Sequence, residues 1–205
     1  MWRGFGNRHR NHRETARRST GLPRKGKSLL PIIQRAASRI PQPWRNGMGV
    51  QYEVTANGPL PDGWTWRLST ADITHDAPFS VFEGVTREFC VASGNGVVLT
   101  IDGLAQECGP RSIVVFDGGS AVRAAIIDGP TKDINLMLKN GSPTLHLSVQ
   151  VAGDKLAGAE ALVALGGGAT VRVDADIFQL NELDAVLDTG PSTIAILEGS
   201  VVAVR

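Results

Sequence analysis

Apolar residues from Trp44 onward form short runs, which turn signals such as Asn57-Gly58 and Asp128-Gly129 separate. Short runs with alternating or β-branched residues are typical of β-strands, and several at this spacing predict a sandwich or a barrel. Helical periodicity is scarce: a short helix is predicted near residues 28–38, and residues 155–163 fit either a helix or the approach to a strand. The clearest strand-like runs are residues 97–101, 113–116, 121–127, 134–138, 145–151 and 193–204.

A faint internal repeat favours a duplicated fold. A shift of 72 residues lays the segment VASGNGVVLTID (residues 91–102) over VALGGGATVRVD (residues 163–174). The same shift lays Val114 on Val186 and Gly118 on Gly190 without a gap. Each copy reads as a strand, a Gly-rich turn and a second strand, and glycine suits that turn because it adopts positive φ without a steric penalty. We therefore expect two copies of one β-unit.

The formal net charge of +1 conceals two segments of opposite charge. Residues 1–30 hold nine Lys or Arg and one acid, Glu14, whereas the other 175 residues have a formal charge of −7. A basic segment with so few apolar residues cannot bury enough surface to offset its ordering entropy, so residues 1–29 are predicted to be a disordered tail. A transit-like leader, translated sequence upstream of the working start and a nonspecific contact with nucleic acid are alternative interpretations of this tail.

Neither a membrane segment nor a secretory leader is expected, because the chain has no apolar run of the required length. The two cysteines, Cys90 and Cys108, lack the close spacing of a zinc or redox motif. Buried free thiols are the simplest interpretation, and they predict a reducing compartment and hence a cytoplasmic location. A disulfide between the two cysteines is an alternative without independent support.

Three motifs carry a family resemblance. They are PWRNGMG (residues 43–49), WTWRLSTADITHDAPFSVFEGVTR (residues 64–87) and DGPTKDINLM (residues 128–137). In this order and spacing they resemble the HutD/Ves family, a group of bicupins associated with bacterial histidine utilisation. The resemblance covers the chain from about residue 43 to the C-terminus and implies an all-β double-barrel cupin (bicupin, RmlC-like jelly roll). It implies a HutD-like domain over residues 30–205, with barrel halves at roughly 43–140 and 141–205.

The chain departs from the family pattern directly after the Asn46-Gly47 pair of the first motif. The family continues there with more glycine, Thr and Arg, whereas this chain has Met48, Val50, Gln51 and Tyr52. If the family Arg helps to hold an anionic ligand, Tyr52 cannot supply its charge. The departure therefore predicts either a changed ligand preference or the loss of a ligand.

Strand alternation gathers polar side chains of the second and third motifs on one face. On a strand at residues 66–70, Arg67 and Ser69 share a face, and apolar residues occupy the other. On a strand at residues 133–138, Asp133 and Asn135 share a face in the same way. On the inner face of a barrel, these polar groups would line a small pocket.

The predicted ligand-binding residues fall into chemical groups that suit a small anion. Two arginines offer planar forked donors to a carboxylate, two asparagines offer both a donor and an acceptor, and two aromatic residues offer apolar walls. An acid beside polar residues on one strand face is unusual in a structural strand, so Asp133 is included. The set is Trp44, Asn46, Arg67, Ser69, Phe79, Arg87, Asp133 and Asn135.

Structural roles are open for several of the same residues. Arg67 could instead pair with Asp133 or Glu83 and tie two strands together. The Asn46-Gly47 pair could be only a tight turn, and the aromatic residues could belong to the core.

A metal centre is not expected. Metal-dependent cupins need a cluster of His with a Glu, whereas His9 and His12 lie in the predicted tail and His75 and His146 stand alone. Phosphate loops, paired Cys/His motifs and a serine nucleophile elbow are also missing from the sequence. We therefore expect no metal and no other cofactor.

Two functions of different class fit these features. In the first, the protein binds a small anionic metabolite of histidine breakdown, such as urocanate or formyl- or formimino-glutamate, and modulates that pathway. In the second, it is a cofactor-free isomerase, lyase or hydrolase that uses Asp133 as base. A third, weaker interpretation is an interaction module without a pocket. We expect no membrane partner and no specific nucleic-acid partner, and we expect that the protein can form a homodimer.

Overall fold

The computed structural model describes residues 31–142 and 144–205, and in these residues the fold is all-β. The predicted tail, residues 1–29, lies outside the described residues. The short helix predicted near residues 28–38 is wrong where it can be compared: residues 32–34 form a strand and Ala36–Ser38 form one 3-10 turn. Residues 155–163 are not helical either, because Gly158 has a φ of +63° between two strands.

Seventeen strands account for the described structure. Two of them, in the C-terminal half, are much longer than the others and bend through register shifts. In chain order the strands are β1 (Ile32–Gln34), β2 (Pro41–Pro43), β3 (Val50–Asn57), β4 (Trp66–Ile73), β5 (Ala77–Pro78), β6 (Val85–Ser93), β7 (Val97–Ile101), β8 (Leu104–Cys108), β9 (Ile113–Asp117), β10 (Val122–Ile126), β11 (Thr131–Lys139), β12 (Leu147–Val151), β13 (Lys155–Ala157), β14 (Ala161–Val173), β15 (Asp176–Leu180), β16 (Ala185–Leu187) and β17 (Thr193–Val204).

The N-terminal barrel consists of two sheets, a six-stranded one in the order β2-β3-β4-β11-β6-β9 and a four-stranded one in the order β5-β10-β7-β8. Apolar side chains from both sheets meet between them, among them Phe89 and Val91 of β6 and Leu99 of β7. Burial of each large apolar side chain of this kind contributes about 1.5–3 kcal/mol, so this cluster holds the two sheets together.

The C-terminal barrel is one seven-stranded sheet built around β14 and β17. The pairing of β14 with β17 contains two register shifts, after Ala164 and after Thr170, and irregularities of this kind bend a strand pair. The inner face of this barrel is apolar throughout its core cluster, which includes Leu162, Val201 and Ala203. Each of these side chains is fully buried.

A third apolar cluster joins the two barrels. It contains Trp66 and Leu68 of β4 on one side and Val163 and Val202 of β14 and β17 on the other. The sequence places Trp66 and Leu68 on the face opposite Arg67, and the structure confirms this alternation. Since the apolar face of β4 packs against the second barrel, its polar face must point into the first.

An N-terminal strap connects the barrels on the outside. Strand β1 pairs with β16 of the C-terminal barrel, whereas β2 pairs with β3 of the N-terminal barrel. Between them, buried Arg39 donates to the Leu183 carbonyl at 2.7 Å and lies 3.5 Å from the Thr70 hydroxyl. Asp184 accepts hydrogen bonds from the Ala36 amide at 2.8 Å and from Arg35, also at 2.8 Å. These tertiary contacts explain why residues 32–38 do not form a helix.

The internal repeat predicted from the 72-residue shift is confirmed in local geometry. Asp102 and Asp174, which the shift superposes, both have positive φ, +47° and +52°. Each carboxylate accepts a backbone N–H at the equivalent position, Ala121 at 2.9 Å and Thr193 at 2.8 Å. The turns at Asp102 and Asp174 are therefore equivalent, but the Gly-rich segment is a turn between β6 and β7 in the first copy and lies within β14 in the second.

Candidate functional site

A cavity of about 490 Å³ lies at one end of the N-terminal barrel, above its apolar core. Its walls combine the inner faces of β3, β4, β6 and β11 with the segments that follow β2, β3 and β5. A volume in this range suits a small metabolite. The cavity is lined by Gln42, Pro43, Trp44, Arg45, Gln51, Leu60, Pro61, Asp62, Arg67, Ser69, Ala71, Phe79, Ser80, Phe82, Arg87, Asp133, Asn135 and Met137.

Strand register arranges the polar side chains of the cavity in rows. Met137 of β11 lies opposite Arg67 of β4 on one side and opposite Arg87 of β6 on the other. One step deeper, Asn135 lies opposite Ser69, and Asp133 lies opposite Ala71 in the step after that. Two guanidinium groups therefore flank one thioether across three adjacent strands, with an amide and a carboxyl behind them.

Arg87 is buried and lies among aromatic rings. Its guanidinium carbon is 5.0 Å from the centre of the Phe79 ring and 5.1 Å from that of Phe116, within cation–π range. Its hydrogen bonds are long, 3.4 Å from Nε to the Asn135 side-chain oxygen and 3.3 Å from Nη1 to the Ser80 carbonyl. Burial lowers the pKa of Arg87 to about 10, so the group stays a cation at neutral pH.

Arg67 is paired with an acid that the sequence analysis missed. Its Nη2 lies 3.0 Å from Oε2 of Glu53, but the angles do not make a hydrogen bond. Burial raises the pKa of Glu53 to about 7, an effect that the nearby Arg67 charge only partly offsets. The predicted structural pairing of Arg67 with Asp133 or Glu83 is wrong, because its acid partner is Glu53 of β3, one of the two strands that pair with β4.

Asp133 is the most deeply buried acid of the cavity, with 2% of its surface exposed. Desolvation raises its pKa to about 7; the positive charge of Arg87 opposes this shift, and the negative charge of Asp72 adds to it. Its Oδ1 atom has no hydrogen-bond partner among the described residues. Two cations, Arg67 and Arg87, therefore line the cavity together with Asp133, whose charge changes near neutral pH, while Glu53 lies beside Arg67 without lining the cavity.

Aromatic residues form the apolar side of the cavity. The rings of Trp44 and Phe79 pack edge to face, with centroids 5.9 Å apart. A Cβ atom at Gly49 would lie 2.8 Å from the Trp44 ring, so only glycine leaves room for the indole in this position. Gly49 thus leaves the space that the Trp44 ring needs to form the apolar wall.

Asn46 fixes the loop that carries this wall. Its side-chain amide donates to the Pro78 carbonyl at 2.9 Å, and its side-chain oxygen accepts from the Met48 amide at 3.1 Å. Its backbone N–H donates to the Ser80 hydroxyl at 3.2 Å. These bonds use the amide for loop structure, and Asn46 does not line the cavity.

The mouth of the cavity is polar and exposed. Arg45 lies 4.8 Å above the Phe82 ring, and its Nη2 is 3.4 Å from Oδ1 of Asp62. Both charged side chains are more than half exposed, so water screens this ion pair strongly.

The structure brings seven of the eight predicted residues to one cavity and leaves Asn46 beside it. Glu53 and the mouth residues Arg45 and Asp62 were missed. A signal for Glu53 was available, since it alternates with Gln51 on β3 and lies opposite Ser69. The mouth residues lie in loops, where no periodicity indicates direction.

The described residues do not fit a metal centre. They contain no group of three His, Cys, Asp or Glu side chains that could hold a metal ion. His146 lies apart from the cavity, with its Nδ1 2.7 Å from Glu88 Oε1, and His75 Nδ1 is 3.2 Å from the Thr74 hydroxyl. Within residues 31–142 and 144–205, no helix is long and apolar enough to cross a membrane.

Solved structures with a similar fold include a cupin-like dioxygenase. Salicylate 1,2-dioxygenase from Pseudoaminobacter salicylatoxidans superposes with a TM-score of 0.62 at 10% identity, over 89% of this chain and 83% of that one. A likeness at this identity shows the fold alone. Together with the all-β structure it confirms the predicted double-barrel cupin, while the division into halves at residues 140 and 141 stays a prediction.

Relatives with higher identity come from Pseudomonas and from enteric bacteria. HutD from Pseudomonas fluorescens SBW25 is 28% identical with a TM-score of 0.71, over 86% of this chain and 98% of that one. An uncharacterized 21.2 kDa protein in the hutC 3′ region of Pseudomonas putida is 37% identical over 112 residues, 54% of this chain and 58% of the relative. Protein Ves from Citrobacter koseri is 31% identical over 98 residues, 47% of this chain and 51% of the relative.

The matches to the curated relatives thus span only about half the length of each. A family model is matched over much more of the chain, residues 36–203, and its description is HutD. That range begins just after β1, includes every residue of the cavity and ends within β17. The chain belongs to the HutD family.

Proposed function

We propose that the protein binds a small carboxylate metabolite in the cavity of the N-terminal barrel and does not convert it. The observation that carries this proposal is the pair of buried arginines, Arg67 and Arg87, on either side of Met137 in a cavity of about 490 Å³. Forked guanidinium groups match the geometry of a carboxylate. In a buried site, such a pair also attracts an anion more strongly than surface cations do.

The ligand we propose is an intermediate of histidine breakdown. The candidates are urocanate and formyl- or formimino-glutamate, all of which carry carboxylates and are small enough for the cavity. Support comes from family membership, since HutD itself and the Pseudomonas putida relative are named after hut genes. Binding would modulate flux or expression in that pathway through a partner protein or by sequestering the metabolite.

A cofactor-free enzyme is the second candidate, and Asp133 favours it. A general base works best when its pKa lies near the operating pH, and burial raises the pKa of Asp133 to about 7. Arg87, which acts on Asp133 electrostatically, would stabilise a developing negative charge. The reaction would be an isomerisation, elimination or hydrolysis of a small carboxylate.

The test is calorimetric titration of the full chain with urocanate, formylglutamate and formiminoglutamate at pH 7. The variant Arg67→Gln removes a buried cavity cation, and Arg45→Gln removes a cation at the exposed mouth as a matched control. We expect at least one compound to bind wild type, with a loss of about tenfold or more in Arg67→Gln and little change in Arg45→Gln. Chromatography of the mixture after incubation measures consumption of the compound.

Each outcome assigns the protein to one class. Saturable binding without consumption supports a receptor, and consumption that Asp133→Asn abolishes supports the enzyme. Absence of binding by all three compounds contradicts the proposed ligands. A cytoplasmic location, a homodimer and nonspecific nucleic-acid contact by residues 1–29 are predictions from the sequence alone.

A further inference from the structure

We infer that a groove at one end of the C-terminal barrel is a docking surface for the basic N-terminal segment of the same chain. The groove, called the end groove below, is lined only by residues between Leu145 and Arg205. The cations that it binds are Arg24, Lys25 and Lys27, which directly precede the described chain. The inference goes beyond the proposed function, because the end groove and the ligand cavity lie in different barrels.

The lining of the end groove combines apolar and acidic side chains in a volume of about 810 Å³. Its charged residues are Glu160, Asp174, Asp188 and Arg205, which give a formal charge of −2, and its larger apolar residues are Leu145 and Pro191. Within residues 31–142 and 144–205, none of the four charged side chains forms an ion pair. The excess of negative charge is therefore available to a cationic partner.

Two other cavities of the described structure differ from the end groove in charge. The ligand cavity of the N-terminal barrel is lined by three arginines and two aspartates, a formal charge of +1. A groove between the barrels, of about 920 Å³, is lined by one arginine and one glutamate, Arg111 and Glu198. Since charge complementarity selects among surfaces, a basic segment is directed to the end groove.

Strand register places the start of the described chain at the rim of this groove. One row across the seven-stranded sheet consists of Ile32, Leu187, Ala161 and Val204. The next positions towards the same end of the sheet are Pro31, Asp188, Glu160 and Arg205. The last three of these line the end groove, and the Asp188 amide donates to the Glu160 carbonyl at 3.1 Å. The residues before Pro31 are therefore attached beside Asp188.

The three cations are close enough to this point to reach the groove. Lys27 precedes Pro31 by four residues and Arg24 precedes it by seven. An extended chain spans at most about 3.6 Å per residue, so Lys27 lies within about 14 Å of Pro31 and Arg24 within about 25 Å. A short tether of this kind gives an effective concentration in the millimolar range, so that weak surface ion pairs are sufficient for docking.

The first measurement is carbodiimide cross-linking of the full chain, which joins a lysine amine to a carboxylate where the two are in contact. A mixture of isotopically labelled and unlabelled chains separates links within one chain from links between two chains, and peptide mass spectrometry identifies the residues. We expect links within one chain from Lys25 or Lys27 to the acids of the end groove. Salt at about 0.5 M should suppress most of them, because it screens exposed charges.

The second measurement is the rate of tryptic cleavage after Lys27 in the full chain. The double variant Glu160→Gln/Asp188→Asn removes two acids of the end groove. Its matched control, Glu107→Gln/Asp128→Asn, changes the net charge equally at two exposed acids that line none of the three cavities. Asp188 and Asp128 both have positive φ, +56° and +47°, a conformation that Asn tolerates.

We expect cleavage after Lys27 to be severalfold faster in the groove variant than in wild type, and unchanged in the control. The difference should disappear at about 0.5 M salt. Equal cleavage rates in all three proteins overturn the inference. Cross-links that join Lys25 and Lys27 mainly to carboxylates outside the end groove, or mainly to a second chain, overturn it as well.

Discussion

The two barrels repeat one β-unit, yet their interiors differ in polarity. On the inner face of the N-terminal barrel, β11 presents Asp133 and Asn135. On the inner face of the C-terminal barrel, β17 presents Val201 and Ala203. The shared turns at Asp102 and Asp174 show that the backbone plan is common to both.

The difference indicates that buried acids in a barrel interior need neighbouring groups of opposite charge. Asp133 is tolerated because Arg87 opposes its charge, and Glu53 is tolerated because Arg67 lies 3.0 Å away. The core cluster of the C-terminal barrel has no such partners among its members, and it is filled by side chains instead. The N-terminal barrel therefore combines a polar site with an apolar core, whereas the core cluster of the C-terminal barrel is apolar throughout.

The largest loss of stability is expected when a charged group is placed in the apolar core of the C-terminal barrel. Val201→Asp places a carboxyl in the apolar core without a cation, so we expect the free energy of unfolding to fall by about 4 kcal/mol or more. Urea denaturation followed by circular dichroism measures this change. The control Val201→Ala should cost only about 2 kcal/mol, because it removes volume and adds no polar group. Equal losses in both variants would show that polarity is not what the second barrel excludes.

The next largest loss of stability is expected when one member of a buried pair of opposite charges is removed from the N-terminal barrel. Arg87→Met leaves Asp133 buried without its cation, and we expect a loss of about 3 kcal/mol in the free energy of unfolding at pH 8. The loss should be smaller at pH 5, where Asp133 is protonated. The double variant Arg87→Met/Asp133→Asn should recover most of the stability at pH 8. A pH-independent loss would contradict the electrostatic role of this arginine.

A smaller effect is expected in the pH dependence of wild-type stability. The pKa values of Glu53 and Asp133 are raised to about 7 in the folded state, so their contribution is fully present below pH 4 and is lost as the pH rises through 7. The groups that face them are Arg67, Arg87 and Asp72. We expect the free energy of unfolding to fall by on the order of 2 kcal/mol between pH 5 and pH 8.

Isosteric variants isolate this contribution. Glu53→Gln and Asp133→Asn should each flatten the stability profile between pH 5 and pH 8, as measured by urea denaturation at several pH values. Asp184→Asn is the matched control, because hydrogen bonds lower the pKa of Asp184 and its contribution is lost only in acid. A profile that rises with pH in wild type would contradict the assignment.

The smallest effect is expected at Asn46. Since its hydrogen bonds lie in an exposed loop, Asn46→Ala should lower the free energy of unfolding by no more than about 1 kcal/mol. Carboxylate affinity should stay close to that of wild type, because the side chain does not line the cavity. A loss of affinity as large as that of Arg67→Gln would restore Asn46 to the ligand-binding set.

Strand alternation was sufficient to predict much of the site. It paired Arg67 with Ser69 and Asp133 with Asn135, and the family motifs added Arg87 and Phe79. The interaction of Arg67 with Glu53 could not be read from alternation alone, because it depends on the register of β3 against β4, which contains a shift between Glu53 and Thr55.

The prediction of a helix near residues 28–38 was wrong for a related reason. Local sequence gave no indication that Ile32 pairs with Leu187 in the other barrel. The residues at the mouth of the cavity could not be predicted from the sequence either. The contact of Arg45 with Phe82 depends on the conformations of two loops.

The strap also determines the order in which the chain can complete its fold. Strand β1 is synthesised first, but its partner β16 follows more than 150 residues later. Contacts over such sequence distances form slowly, because the loop entropy must be lost before the contact is gained. We therefore expect the N-terminal strand to dock late, and we expect a chain shortened to residue 36, where the family match begins, to leave the edge of β16 open to other molecules.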